Sequence, residues 1–443
     1  MLQWGVIVVT SLSADFTSQY REWRRAYYNR FPEFWGTLPG LKVEEYALYG
    51  ALVLPPEHVQ ALRMAASRLY RLMTRLAQVL QQADDQTLRD IGIPEAAIPY
   101  AHIVIPEMPA VMCGRYEFLM TAAGPKLLEF NAETPTVVVE LFHMNSQVCT
   151  DFGLRDPNVH CETQLAQAIQ SSIEGALRWL KQRPEQATII FSSSTDKEER
   201  GTTEFYRHLL ESRGPLPYQT AYQSLEALRV TDDALLTAEG KRVDVLYKLY
   251  PTEYLIKDES SDGTPIGLAL LELVRRRQLA IINPPTAFVL QNKALVAVLW
   301  ALHLAQSDLF THEEHRWIEQ YLLPTYLAPH DAQGQPFIQG RHVIKPVYGR
   351  EGISITVCHR GEVVEQSDLN FYSDQVMVYQ QYTEPPTTTI QTEDGRTEVN
   401  LVHNCFVVAG EPSAVGVRAA RKLIFDDFSY FLPVCYPDQP VQK

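Results

Sequence analysis

The chain has 443 residues, 46% of them apolar and 21% charged, with a formal net charge of −14. This is the composition of an ordinary globular protein of about two or three domain-sized units. The acidic balance argues against a general nucleic-acid binder or a protein that coats anionic membranes, although a local basic pocket is compatible with it. Six scattered cysteines, at 113, 149, 161, 358, 405 and 435, include no CxxC pair, which leaves no signal for a disulfide framework or a zinc site and fits a reducing cytoplasm.

Residues 1–10 are apolar but short and lack a basic flank, so they read as a first strand and not as a secretion signal. Residues 13–30 and 56–82 read as helices, the second with apolar positions at helical spacing. Two strand-like runs follow, 115–120 and 126–131, around the turn signal Thr121-Ala122-Ala123-Gly124-Pro125. With the turn centred on Ala123, Glu117 falls opposite Glu129 and Arg115 opposite Asn131, all four on one face. Tyr116, Phe118, Leu128 and Phe130 then form the other, core face. Two carboxylates meeting across a sheet repel unless a positive charge lies between them. A hard divalent cation such as Mg2+, bound by these oxygens and by substrate phosphates, answers that need. A surface hairpin whose carboxylates are balanced by Arg115 answers it too, and a one-residue slip would send every group to the opposite face. Cys113 falls on the predicted face of Arg115; a buried structural cysteine is the default reading.

Residues 162–182 read as an amphipathic helix. Residues 187–191 read as a buried strand that leads through the loop SSSTDKEERG into a helix at 202–212, a unit of α/β type. A further strand at 243–249 ends in YKLYPTEYL, where Lys248 and Glu253 lie beside aromatic residues, at a binding cleft or on an amphipathic edge. Segments 258–264 and 328–340 concentrate Gly, Pro, Asp and Gln and read as loops or linkers. Residues 285–304 read as a loop followed by a helix; its run 294–304 is the most apolar helix in the chain and well short of a membrane span. Asn292-Lys293 opens that helix with a lysine the dipole disfavours, which points to a special partner or, as the simpler reading, to a solvated side chain. The string His312-Glu313-Glu314-His315 has the wrong spacing for a zincin and reads as a solvated helix start. Residues 342–347 and 353–359 read as strands joined by Gly349-Arg350-Glu351-Gly352. Its glycines and the cations Lys345 and Arg350 suit a flap over phosphates, and an ordinary hairpin turn accounts for the same pattern. No Walker loop and no GxSxG elbow are present. Residues 376–382 and 405–409 add strands.

Taken together, RYEF, KLLEFNAETPT, TDKEERGTTEFY, QNKALVAVLWAL, LLPTYL, KPVYGREGISI, VYQQY, VGVR and YFLP stand in the order in which they occur in the synthetase domain of the glutathionylspermidine synthase family, and the chain resembles that domain and its stand-alone relatives from about residue 105 onward. No segment resembles the amidase domain of bifunctional members, so only ligase chemistry is implied. The resemblance implies an α/β (α+β) protein with an ATP-grasp-like fold, a preceding pre-ATP-grasp-type region and segments in permuted order. Residues 1–105 would be an N-terminal α/β segment packing on a synthetase body at 106–443. Within that body, 187–250 would form a substrate-side unit and 340–443 the nucleotide-binding and lid region.

It further implies ATP and Mg2+, with Glu117, Glu129 and Asn131 as metal ligands and Arg115 and Arg350 as catalytic residues. Lys293, Lys345, Gly349, Gly352, Gln380, Gln381, Tyr382 and Arg418 would serve the nucleotide. Thr134, Thr136, Glu198, Glu199, Lys248 and Glu253 would serve the substrates. Two positions depart from the family pattern: Glu117 replaces an aspartate, and Thr134-Pro135-Thr136 stands where bifunctional enzymes carry serines. The implied activity is ligation of a peptide or amino-acid carboxylate, glutathione-like, to a polyamine-like amine through an acyl phosphate. The partners are small molecules, with no nucleic acid and no membrane; the sequence assigns no oligomeric state. A non-catalytic nucleotide or polyamine binder on the same shell, and a kinase that stops at the acyl phosphate, are the competing readings. The joint presence of the carboxylates, both lysines and the flap arginine disfavours the binder.

Overall fold

The computed structural model describes residues 6–7, 16–38, 44–372, 374–426 and 428–437. Helices and strands are mixed along the chain, as the α/β reading expects. The scaffold is an antiparallel sheet of six strands. Its order is Tyr430–Leu432, Glu411–Ala420, Gly395–Val408, Cys113–Thr121 and Gly124–Asn131, with Thr387–Thr392 paired on the long strand. Beneath it lies the helix Pro56–Leu80, whose apolar stripe Val59, Leu62, Leu69, Leu72, Met73 and Leu76 is fully buried. That stripe explains the placement: a 25-residue helix with one apolar face covers one face of a sheet and leaves the other for chemistry.

The predicted hairpin exists, with a refinement that matters. Arg115 pairs with Asn131, Tyr116 with Phe130 and Glu117 with Glu129. Past that point the register shifts, and Phe118 pairs with Leu127. The turn is therefore a tight one at Ala122-Ala123, and Leu128 is the extra residue of a β-bulge. The bulge corrects one expectation: Leu127 is fully buried on the core side, while Leu128 faces the cavity. Tyr116, Phe118 and Phe130 are core as expected, with the Tyr116 and Phe130 rings stacked 3.8 Å apart.

Two further sheets frame the site. Thr325–Tyr326, Met377–Gln381, His342–Pro346, Thr356–His359 and Glu362–Gln366 form an antiparallel sheet that contains the two strands predicted around the glycine turn. Ala280–Ile282, Val245–Leu249, Thr188–Ser193 and Gln219–Tyr222 form a parallel sheet, wound through the helix Lys197–Glu211. That helix starts earlier than 202: Asp196 caps it by accepting from the backbone N–H groups of Glu198 and Glu199, so half of the expected loop is helical.

Other differences have similar local causes. Residues 285–304 are two helices, Pro285–Gln291 and Ala294–Leu304, where a loop and one helix were expected. The Asn292 side chain, at the break between them, accepts from Ala294 N–H at the start of the second. The strand expected at 405–409 is the end of Gly395–Val408. His312–Tyr321 does begin a helix, under a Thr311–Glu314 capping box, but Glu314 and His315 are buried and not solvated, Glu314 being paired with Arg75 at 2.8 Å. Of the first predicted strand, Val6–Ile7 pairs with Ala51–Val53; residues 1–5 and 8–10 lie outside the described residues, as do 13–15 of the first predicted helix, which runs Phe16–Tyr28. Among the described residues no single helix is long and apolar enough to cross a membrane; the bent pair Pro285–Gln291 and Ala294–Leu304 passes by length and composition together, and the first of the two is buried throughout.

Candidate active site

A cavity of about 530 Å3 lies over the polar face of the hairpin, roofed by the Gly349–Gly352 turn. Arg115, Glu117, Glu129, Asn131, Thr134, Thr136, Glu198, Glu199, Lys293, Lys345, Gly349, Arg350, Gly352, Gln380, Gln381, Tyr382 and Arg418 all line it. Two residues expected on the substrate side, Lys248 and Glu253, do not line it; both are buried behind its wall.

The floor carries two opposed carboxylates, each held by cations. Glu117 Oε1 is 2.7 Å from Arg115 Nη2 and 3.6 Å from Arg418 Nη1. Glu129 Oε2 is 3.3 Å from Lys293 Nζ, and Asn131 Nδ2 donates to Glu129 Oε1 at 3.1 Å. Burial alone would raise the Glu129 pKa; the ammonium groups of Lys293 and Lys345 and the Asn131 hydrogen bond overcome it and hold the carboxyl at about 2. Lys345 shows the converse. Burial pulls its ammonium down to about 8, with Lys293 adding repulsion and Glu129 opposing both. Its Nζ donates to Gln380 Oε1 at 2.9 Å, and Lys293 Nζ donates to the Gly349 carbonyl at 2.7 Å, so one lysine grips the strand and the other the roof.

Glu117, Glu129 and the free oxygen of Asn131 make an all-oxygen donor set on one face. Among the described residues no group of three or more His, Cys, Asp or Glu side chains is placed to hold an ion. Two carboxylates and an amide fit a hard cation that takes its remaining ligands from phosphate and water, as Mg2+ does. Arg115 is anchored from the far side: Nη1 donates to the Thr136 carbonyl at 2.7 Å and to its hydroxyl at 3.0 Å, while Nε is buried without a partner. Cys113 next to it is buried structural thiol, pushed up to about 12 by burial.

Another part of the cavity lining is acidic and aromatic. Asp196, Glu198 and Glu199 project from the start of Lys197–Glu211, opposite Glu351 of the roof and beside Trp35 and Tyr46. Burial raises the Glu199 carboxyl, against hydrogen bonds from Ser194. Sequence reasoning did not single out Trp35, Tyr46 or Glu133. Trp35 and Tyr46 both donate to the buried Glu140, at 2.8 and 2.7 Å. Glu133 holds Lys248 Nζ at 2.5 Å and accepts from the hydroxyl and backbone N–H of Thr252. The available signal was a lone carboxylate between Asn131 and two threonines, flanked by the apolar residues Phe130 and Val137 that are buried with it.

The family model described as "Glutathionylspermidine synthase preATP-grasp" matches residues 34–436. A "Putative acid--amine ligase" of Haemophilus influenzae is 24% identical over 330 residues, covering 72% of this chain and 73% of that protein. The "Bifunctional glutathionylspermidine synthetase/amidase" of Escherichia coli (strain K12) is 23% identical over 292 residues, and the match spans 61% of this chain but 42% of that longer protein. Among solved structures, a glutathione synthetase-like effector of Globodera pallida in its apo form superposes with a TM-score of 0.61 at 13% identity, covering 98% of this chain and 100% of that one. That likeness concerns the fold, and agrees with the ATP-grasp-like architecture the motifs imply.

Proposed function

The chain belongs to the glutathionylspermidine synthase family, and from that premise we propose that it is an ATP-dependent ligase that joins a carboxylate to an amine through an acyl phosphate. One observation carries the reading: opposed carboxylates, Glu117 and Glu129, share one cavity with Arg115, Lys293, Lys345, Arg418 and Arg350. An arrangement with so many cations around two carboxylates suits polyanionic reactants brought together with a divalent ion. Glu117, Glu129 and Asn131 would hold Mg2+, which when bound offsets the charge of the phosphates.

Lys293, Lys345 and Arg418 would bind the phosphates, with Gln380, Gln381 and Tyr382 along the adenine side. Thr134 and Thr136 would seat the acyl donor, a peptide or amino-acid carboxylate of glutathione-like character. Arg115 would hold the oxygen on which charge grows as the carboxylate is phosphorylated and then attacked. The acidic end at Glu198 and Glu199 would orient a polyamine-like amine toward the acyl carbon. Arg350, between Gly349 and Gly352, would exclude water from it. Lys248 and Glu253 would act from behind the wall, through Glu133 and Arg350. Residues 1–105 would form a segment packed on the synthetase body at 106–443, and the reaction would join small molecules in the cytoplasm.

The test is ADP release from the purified protein with Mg2+, ATP and a matrix of carboxylates and amines. Release that needs both an acid and an amine supports a ligase. Release with acid alone supports a kinase, and nucleotide binding without release supports a sensor.

A further inference from the structure

Arg350 faces the cavity from the roof, yet its Nε is bound from behind, 3.0 Å from Glu253 Oε1. Glu253 is 3% exposed and does not itself line the cavity. The contact uses one edge of each group only. Arg350 Nη2 and Glu253 Oε2 are both buried and make no hydrogen bond, so the forked two-point pairing that arginine and carboxylate usually form is not made. One carboxylate oxygen fixes the root of the guanidinium and leaves its far edge to another partner.

Glu253 is itself fixed to the floor of the site. It follows Thr252, whose backbone N–H donates to Glu133 Oε2 at 3.2 Å and whose hydroxyl donates to Glu133 Oε1. Lys248 joins the same carboxylate. Glu133 is held in turn by its backbone: its N–H donates to Gln291 Oε1 at 2.8 Å and its carbonyl accepts from Asn283 Nδ2 at 2.8 Å. Three residues on, Thr136 grips Arg115 twice. The floor arginine and the roof arginine are thereby tied to one buried polar scaffold.

We propose that Glu253 is a positioning residue for Arg350: it latches the Gly349–Gly352 turn over the floor and aims the free guanidinium edge at the anion held above Arg115. This rests on the ligase reading given above. Its consequence is retention of the activated acid. If the roof is not latched, water adds to the acyl carbon and phosphate leaves, giving back the free acid, so that ADP and phosphate appear without an amide.

The experiment compares wild type with Glu253→Ala and Glu253→Gln; the glutamine keeps the size and one acceptor for Arg350 Nε but not the charge. In ligand-free protein, amide hydrogen exchange across residues 349–355 should quicken about tenfold or more in Glu253→Ala and less in Glu253→Gln, with exchange in 113–131 unchanged. Unchanged protection at 349–355 in Glu253→Ala would overturn the latch whatever the protein catalyses. In turnover, the ratio of amide formed to ADP released should fall severalfold in Glu253→Ala while the KM for ATP stays within about twofold. An unaltered ratio in a variant with native protection elsewhere would also overturn it. If wild type releases no ADP with any acid and amine, the ligase reading fails, and the exchange measurement alone decides the latch.

Discussion

Glu117 and Glu129 stand directly opposite each other across the hairpin, and each is claimed by its own cation, Arg115 at 2.7 Å and Lys293 at 3.3 Å. Two carboxylates so placed are tolerable only while positive charge lies on both. Removing one charge should therefore be felt at the ion and not in the fold. Glu117→Gln and Glu129→Gln are each expected to raise the Mg2+ concentration needed for nucleotide binding by about tenfold or more. Calorimetric ATP titrations at several Mg2+ concentrations check this; an unchanged Mg2+ requirement in both variants would remove the pair from the ion site.

Lys293 and Lys345 approach the same carboxylate from the start of the helix Ala294–Leu304 and from the neighbouring sheet. Lys293→Ala or Lys345→Ala should each weaken ATP binding by about 1.5–3 kcal/mol, the range of a charge-assisted hydrogen bond. Circular dichroism should remain native. Equal ATP affinity in wild type and both variants would exclude them from the phosphate site.

Lys345 also predicts a pH effect on stability without any ligand. Its folded pKa, about 8, lies below the ordinary lysine value, so between these two the unfolded chain binds more protons than the folded one. Stability due to this group therefore rises with pH across that window; below about pH 8 the buried charge costs its full amount. In urea unfolding at pH 7.5 and 9.5, wild type should gain about 2 kcal/mol relative to Lys345→Met. A constant difference between the two proteins would mean that Lys345 titrates normally.

The polar row of the floor was legible because strand alternation and a two-residue pattern place Arg115, Glu117, Glu129 and Asn131 without any tertiary knowledge. The turn was misplaced by half a residue, and the bulge at Leu128 restored the register where it counts. Nothing local marks such a bulge. The capped start of Lys197–Glu211 was missed although Asp196 with Glu199 is a capping pattern, because a run of charge and serine reads as loop. Trp35, Tyr46 and the Glu133–Lys248–Thr252 cluster are set by contacts between segments roughly a hundred residues apart, which periodicity does not encode.

The Glu133 cluster carries a stability prediction. Its carboxylate is the acceptor for a buried ammonium, a hydroxyl and a backbone N–H, all behind the cavity wall. Glu133→Ala strands the Lys248 charge in the interior and should cost about 3–5 kcal/mol. The double variant Glu133→Ala with Lys248→Met should recover much of this, since no uncompensated charge is left. Thermal unfolding of the four proteins of that cycle checks it; a single variant as stable as wild type would show that the pair is not buried in solution.

Arg115 should act on chemistry more than on nucleotide affinity. It lies on the face of the opposed carboxylates and opposite Asn131, one strand step from the Glu117–Glu129 pair. Its Nη1 is fixed by both oxygens of Thr136, its Nη2 by Glu117, so the plane of the guanidinium is set before any ligand arrives. A preset donor fork near the point where the carboxylate oxygen meets the transferred phosphate stabilises charge that grows in the transition state. Arg115→Ala should lower kcat by about a hundredfold or more and leave the ATP affinity close to that of wild type. Arg115→Lys should recover only part, because a point charge cannot reach Thr136 and an oxyanion in the same plane. If Arg115 served only to neutralise Glu117, the alanine variant would lose melting temperature or Mg2+ affinity first and keep its turnover at saturating Mg2+. Melting temperature, Mg2+ dependence and turnover measured on one Arg115→Ala preparation separate the two roles, and normal turnover would end the catalytic assignment.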